Sequence, residues 1–259
     1  MTVGPPTRRV VLLGASNLTR AFATVVETAK AYWGGPLEVL AALGHGRSYG
    51  MDSAIFVRRL PGILGCGLWD ALADDGRPTA AMMTDIGNDL LYEVPPLVIA
   101  DWVRRCADRL VERCDSVVMT LLPLANSEEV SELRFSYLRN SAFPGSDLTL
   151  AELAGRAAEL DAALRTICAE RGIATVEHRR DWYGFDPIHI RMRCWASAWQ
   201  EVLAPWRRGA PAPAVGRVTR RRHLRLRLLP PQQRWICGIP RHAAQPAGPF
   251  EDGSTIAVY

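Results

Sequence analysis

Ser16, Asp186 and His189 are the residues of this chain whose types and placing best suit covalent chemistry. A serine hydroxyl is a weak nucleophile near neutral pH. It needs a base to take its proton, and the base needs a group to orient it. Ser16 stands in "LLGASNLTR", where an apolar run ends at Gly14 and a helical pattern begins. Of the five histidines, His178 falls at the end of an expected strand, and His223 and His242 lie in a basic C-terminal stretch. His45 sits in a glycine-rich loop. His189, in "FDPIHI", follows Asp186 by three residues. Pro187 restricts Asp186 to extended geometry, so a short turn can bring the carboxylate to one imidazole nitrogen and leave the other for Ser16. The same residues also read as a helix start, with Asp186 as the cap and Pro187 in the first turn. Ser16 likewise reads as a helix cap, and both cap roles are compatible with catalysis.

An acyl-transfer site also needs donors for a developing oxyanion. Asn88, in "TDIGNDL", carries a side-chain amide after Gly87, although Gly-Asn-Asp is equally ordinary turn chemistry. "GHGRSYG" at 44–50 has three glycines in seven residues, which suits close approach of backbone N–H groups to a ligand, or a flexible loop.

Other chemistries lack their companions. "GASNLTR" has neither the later glycines of a dinucleotide loop nor an acidic residue ending the next strand, and no Gly-Lys-Ser/Thr exists for a P-loop. The six cysteines (66, 106, 114, 168, 194 and 237) form no C-x-x-C and stand at no ligand spacing to histidine. They fit a reduced, cytoplasmic protein.

The elements that must position these residues follow from short apolar runs at 9–14, 37–44, 80–87, 116–123 and 173–178. These runs are nearly continuous in apolar residues, as expected for parallel strands covered on both faces. Helical patterns lie between or after them, at about 17–33, 96–113, 150–171 and 190–205, and Gly172 makes a good stop for the third. Alternating strand and helix predicts a three-layer α/β/α sandwich with a mostly parallel five-stranded sheet. In such sheets function gathers at the carboxyl ends of the strands. Those ends hold "GASN", "GHGRSYG", "IGND" and "DWYGFDPIH".

A chain of 259 residues, 48% hydrophobic, can bury a full core. The expected division is a domain over 1–206 and an Arg/Pro-rich extension over 207–259. Residues 206–259 hold ten arginines against Glu251 and Asp252, so a net +4 chain has a strongly basic end. "GAPAPAVG" reads as a linker. Arg and Leu alternate over 224–228, as in a half-buried strand docked on the core, and "DG" before "STIAVY" suggests a hairpin turn and strand. Binding of nucleic acid or another polyanion by this basic end is the second reading, since its charge would attract one. No interleaved aromatic platform accompanies it, and docking is favoured. No stretch is long enough to span a membrane.

The ordered set of Gly-x-Ser after strand one, a glycine-rich loop after strand two, Gly-Asn-Asp after strand three and Asp-x-x-His near the end of the core resembles the SGNH hydrolase superfamily, also called GDSL-type esterases. The resemblance covers about residues 9–205 and lies in four short blocks. It implies a flavodoxin-like fold and a serine esterase acting on acyl esters, O-acetyl esters among them, of a small molecule, lipid or carbohydrate. By this resemblance Ser16 is the nucleophile, His189 the base and Asp186 its orienter. The oxyanion hole comprises Ser16, Gly46 (with Gly44 as the competing alignment) and Asn88. No metal or organic cofactor is implied. An acyltransferase using the same site, or a non-catalytic scaffold with a polyanion-binding tail, are the alternatives. His45, Tyr92, Trp182 and Tyr183 flank these blocks and are candidates to line the substrate pocket. The family's first block usually reads Gly-Asp-Ser, and here Ala15 replaces the acid that helps fix the serine turn.

Overall fold

The computed structural model describes residues 4–124, 148–247, 250 and 252–259. Six strands form the central sheet: β1 (Arg8–Leu13), β2 (Leu37–Ala42), β5 (Thr79–Met83), β6 (Ser116–Thr120), β7 (Ala174–Val176) and β10 (Thr255–Val258). Their order is β10-β2-β1-β5-β6-β7, and every pairing is parallel. The five expected strands are present in flavodoxin-like order. β10 adds a sixth beyond β2.

The continuous apolar runs arise because both faces of the sheet are covered. In β1, Val10 and Leu12 pack into one core layer with Leu18, Phe22 and Val26 of α1 (Ser16–Trp33) and with Trp199 of α6 (Trp195–Val202). Val11 and Leu13 face the other layer, with Val103 of α4 (Pro96–Val111) and Leu164 of α5 (Leu150–Arg171). Helix α5 opens with a capping box between Thr149 and Glu152 and stops at Gly172, which adopts φ 63°. The short helices α2 (Leu68–Ala71) and α3 (Asn88–Leu91) lie in the connections before and after β5.

The C-terminal segment differs from its sequence reading in two places. The Arg-Leu alternation is not a strand. Residues Arg220–Arg227 form helix α7, because Thr219 accepts the Arg222 N–H at 3.2 Å and caps it. On that helix only Leu226 is buried, while Leu224 and Leu228, one turn apart, are exposed. A period of two is ambiguous here, since every second step of it also returns to one helical face. "STIAVY" does form a strand, but it pairs in parallel with β2 and makes no hairpin.

The remaining strands, β3 (Ser53–Ile55), β4 (Arg58–Leu60), β8 (Gln233–Ile236) and β9 (Ile239–His242), form an antiparallel sheet in that order. It joins the hairpin after the glycine-rich loop to the C-terminal segment. Among the described residues, no helix is long and apolar enough to cross a membrane.

Candidate active site

Ser16 is the first residue of α1, directly after the β1 end. Gly14 is required in this turn, because a Cβ there would lie 2.6 Å from Thr84 Cγ2. Ser16 therefore sits inside the helix rather than capping it. Ala15 occupies the cap position and offers no side-chain acceptor.

The loop 184–191 brings its histidine to that turn. His189 Nε2 lies 3.0 Å from Ser16 Oγ, and His189 Nδ1 lies 2.7 Å from Asp186 Oδ2. Asp186 does not cap a helix, since the next helical turn begins only at Met192. Its Oδ1 instead accepts the N–H groups of Ile188 at 3.0 Å and His189 at 3.1 Å, which folds the loop into a tight Asx-type turn. Burial pushes the Asp186 carboxyl up, but the hydrogen bond and charge of His189 and these two N–H groups outweigh it and hold it below the usual range.

Asn88 opens α3 after Gly87. Its Nδ2 is buried without a hydrogen-bond partner among the described residues, an arrangement that normally costs free energy. Gly46 adopts φ 63°, and a Cβ there would lie 2.7 Å from Ile55. Gly44 is equally confined, with Leu60 Cδ1 at 2.3 Å from such a Cβ. Tyr92 donates its hydroxyl to the Gly46 carbonyl at 2.7 Å, so it fixes this loop. Arg47, fully buried, anchors the same loop by donating to the carbonyls of Leu43, Pro61 and Tyr259. Through Tyr259 the end of β10 supports the loop that follows β2.

Of the flanking aromatics, Trp182 packs in the core, which removes it from a substrate surface. Tyr183 is also nearly buried. Its hydroxyl meets His178 Nδ1 at 2.5 Å, and burial pushes His178 down to about 4. Together with Asn17, Asp85, Asn88 and Leu122, the pair lines a cavity of about 180 Å³. His45 is partly buried. Burial first, then the charges of Arg58, Arg227, His189 and Arg20, push its imidazole down to about 4.

Two residues that sequence reasoning missed hold this arrangement. Asp85, at φ 60°, directs its carboxylate onto the start of α1. Oδ2 accepts the N–H groups of Ala15 at 2.9 Å and Leu18 at 3.1 Å, and Oδ1 accepts Asn17 Nδ2 at 2.8 Å. An acid thus pins the serine turn, supplied from the β5 end rather than from position 15. Asn17 then ties that turn to the histidine loop. It donates to the Ile188 carbonyl at 3.0 Å and accepts the Ile190 N–H at 2.8 Å. An acidic side chain in "TDIGND", beside a serine turn lacking its usual acid, was the available signal.

Asp89 ties the second and third loops by accepting the Tyr49 N–H at 2.9 Å. Its other oxygen is buried without a hydrogen-bond partner among the described residues, and burial pushes the carboxyl up to about 6 from an ordinary 3.8. The folded protein therefore holds this proton more tightly than the unfolded chain, so stability falls as pH rises from about 4 through about 6. Melting curves across that window should show the fall, and Asp89→Asn should reduce it.

No protein-family model matches the chain, and no curated protein matches its sequence. Solved structures do match in fold. A carbohydrate acetylesterase family member from Sinorhizobium meliloti aligns over 76% of this chain and 96% of its own, at 17% identity and a TM-score of 0.52. An inhibitor-bound aryl esterase of M. smegmatis aligns over 77% and 97%, at 14% identity and 0.51. An alpha/beta hydrolase enzyme from the metagenome of Lake Arreo, Spain, aligns over 80% and 98%, at 10% identity and 0.51. With its parallel sheet in flavodoxin-like order between two helical layers, the chain has the fold of the SGNH, or GDSL-type, hydrolases.

Proposed function

We propose that the chain is a serine esterase that cleaves acyl esters of small molecules, carbohydrates or lipids through an acyl-enzyme. The observation that carries this reading is the continuous contact from Ser16 Oγ through the His189 imidazole to Asp186. His189 Nε2 takes the Ser16 proton as Oγ attacks the ester carbonyl, and Asp186 stabilises the imidazolium that forms. The resulting oxyanion is received by the Ser16 N–H, one of the unpaired donors of the first helical turn, by the Gly46 N–H and by Asn88 Nδ2. Collapse of this intermediate breaks the bond to the alcohol, which leaves with the proton from His189. Water, deprotonated by His189, then attacks the acyl carbon, the bond to Ser16 Oγ breaks, and His189 returns the proton to Oγ as the acid is released.

The unpartnered Asn88 Nδ2 favours this assignment, because a buried donor with no partner among the described residues is available to an oxyanion that develops beside it. Asn88→Ala should lower kcat by about 10²- to 10³-fold with a smaller change in KM. Hydrolysis of p-nitrophenyl acetate by wild type and by Ser16→Ala tests the reading as a whole. Equal rates would overturn it.

A further inference from the structure

Among the arginines of the C-terminal segment, several are satisfied within the fold. Arg222 pairs with Glu27 at 2.6 Å, Arg225 lies 4.4 Å over the Phe250 ring, and Arg208 donates to the Asp115 carbonyl at 3.1 Å. Arg227 is not. It lies on the last turn of α7, and its side chain forms no ion pair or hydrogen bond among the described residues. Arg58, on β4, is also without a carboxylate partner among the described residues, although it is largely desolvated and faces the further positive charge of Arg234. Its Nη2 would lie 3.7 Å from a Cβ on Gly44, so the guanidinium sits over the loop that carries Gly46. Both arginines act on the His45 imidazole, as do His189 and Arg20. Arg20 itself stands 3.8 Å from Asp186. The nearby acids are engaged. Asp186 holds His189, and Asp52 faces Arg59 at 3.7 Å. Among the described residues, Arg58 thus offers positive charge without a carboxylate partner over the loop that follows β2, where a desolvated guanidinium gains most from an anion.

We propose that the ester taken by this site carries an anionic group, a carboxylate, sulfate or phosphate, which Arg58 holds over the 44–46 loop, with Arg227 of α7 adding to the positive field. The inference deepens the esterase reading and rests on it for turnover. A neutral ester would leave both cations unpaired, whereas an anionic one is drawn in by the field and oriented by the fork of Arg58.

Two matched pairs of esters test this. 4-Acetoxybenzoate against its methyl ester places the charge on the alcohol side, and mono(4-nitrophenyl) glutarate against its methyl ester places it on the acyl side. The readout is the ratio of kcat/KM for the charged ester to that for its neutral mate. In Arg58→Gln and in Arg227→Gln, where the exposed position removes the risk of misfolding, that ratio should fall about tenfold for at least one pair. An unchanged ratio for both pairs in both variants overturns the proposal. Calorimetric titration of the two charged esters into Ser16→Ala gives a reading independent of turnover. At least one should bind, and adding Arg58→Gln should weaken it about tenfold. Absence of binding by either, or equal affinity in the two proteins, also overturns it. Failure of wild type to cleave any of the four esters would instead count against the esterase reading.

Discussion

Ser16→Ala and His189→Ala are each expected to lower kcat for p-nitrophenyl acetate by about 10⁵- to 10⁶-fold, and the double variant to lose little more. The reason is that the two side chains act as one unit. At 3.0 Å, His189 Nε2 can accept the hydroxyl proton as Oγ becomes a nucleophile, and neither event helps without the other. Asp186→Asn should be milder, about 10⁴-fold. Its effect is on orientation and on the imidazolium charge, and an amide still fits the turn that the carboxylate makes with Ile188 and His189. KM should move far less than kcat in all three, because the lost interactions are made chiefly in the transition state. Steady-state kinetics on the single and double variants checks both the size and the lack of additivity.

Asp85→Ala is expected to lower kcat by about 10²-fold through the position of the serine turn. A misplacement on the order of 1 Å suffices for such a loss. Its carboxylate satisfies the N–H groups of Ala15 and Leu18 and the amide of Asn17, so its removal leaves three donors at the serine turn without their partner. Each costs about 1–3 kcal/mol unless water replaces it. Because Asn17 also holds Ile188 and Ile190, the disturbance reaches His189 as well as Ser16. Asp85→Gly separates the carboxylate from its backbone. Position 85 adopts φ 60°, which glycine takes without strain, so a loss of kcat in that variant is free of the strain that alanine would add. Asp85→Asn keeps one acceptor oxygen and should fall between wild type and Asp85→Gly. The readouts are kcat, KM and melting temperature, and a loss of stability with unchanged kcat would refute the positioning role.

What could be read from the sequence followed the range over which each signal acts. The five strands were legible because a parallel strand covered on both faces must be apolar at every step, as in Val10–Leu13. The Asp186–His189 turn was legible because its geometry is local, set by Pro187 and three residues of spacing. Asp85 escaped because its partners lie some 70 residues away, and "TDIG" by itself is turn composition. The sixth strand was recognised as a strand, but its place beside β2 depends on Tyr259 and Ala257 meeting Ala41 and Leu40, which no local pattern encodes. The antiparallel sheet was hidden for another reason. β3 and β4 have three residues each, too few to show a period. In α7 the local signal itself misled, because a cap at Thr219 and burial of Leu226 decided between two structures that the Arg-Leu pattern allows equally.

The central claim is that Ser16 is an activated nucleophile, and reaction with a fluorophosphonate probe followed by mass-spectrometric mapping tests it most directly. Such a probe modifies a serine whose hydroxyl is being deprotonated by a neighbouring base. The structure predicts a single adduct on Ser16, absent from Ser16→Ala and greatly slowed in His189→Ala. An adduct on another residue, or a folded wild-type protein that the probe leaves unmodified, would contradict it.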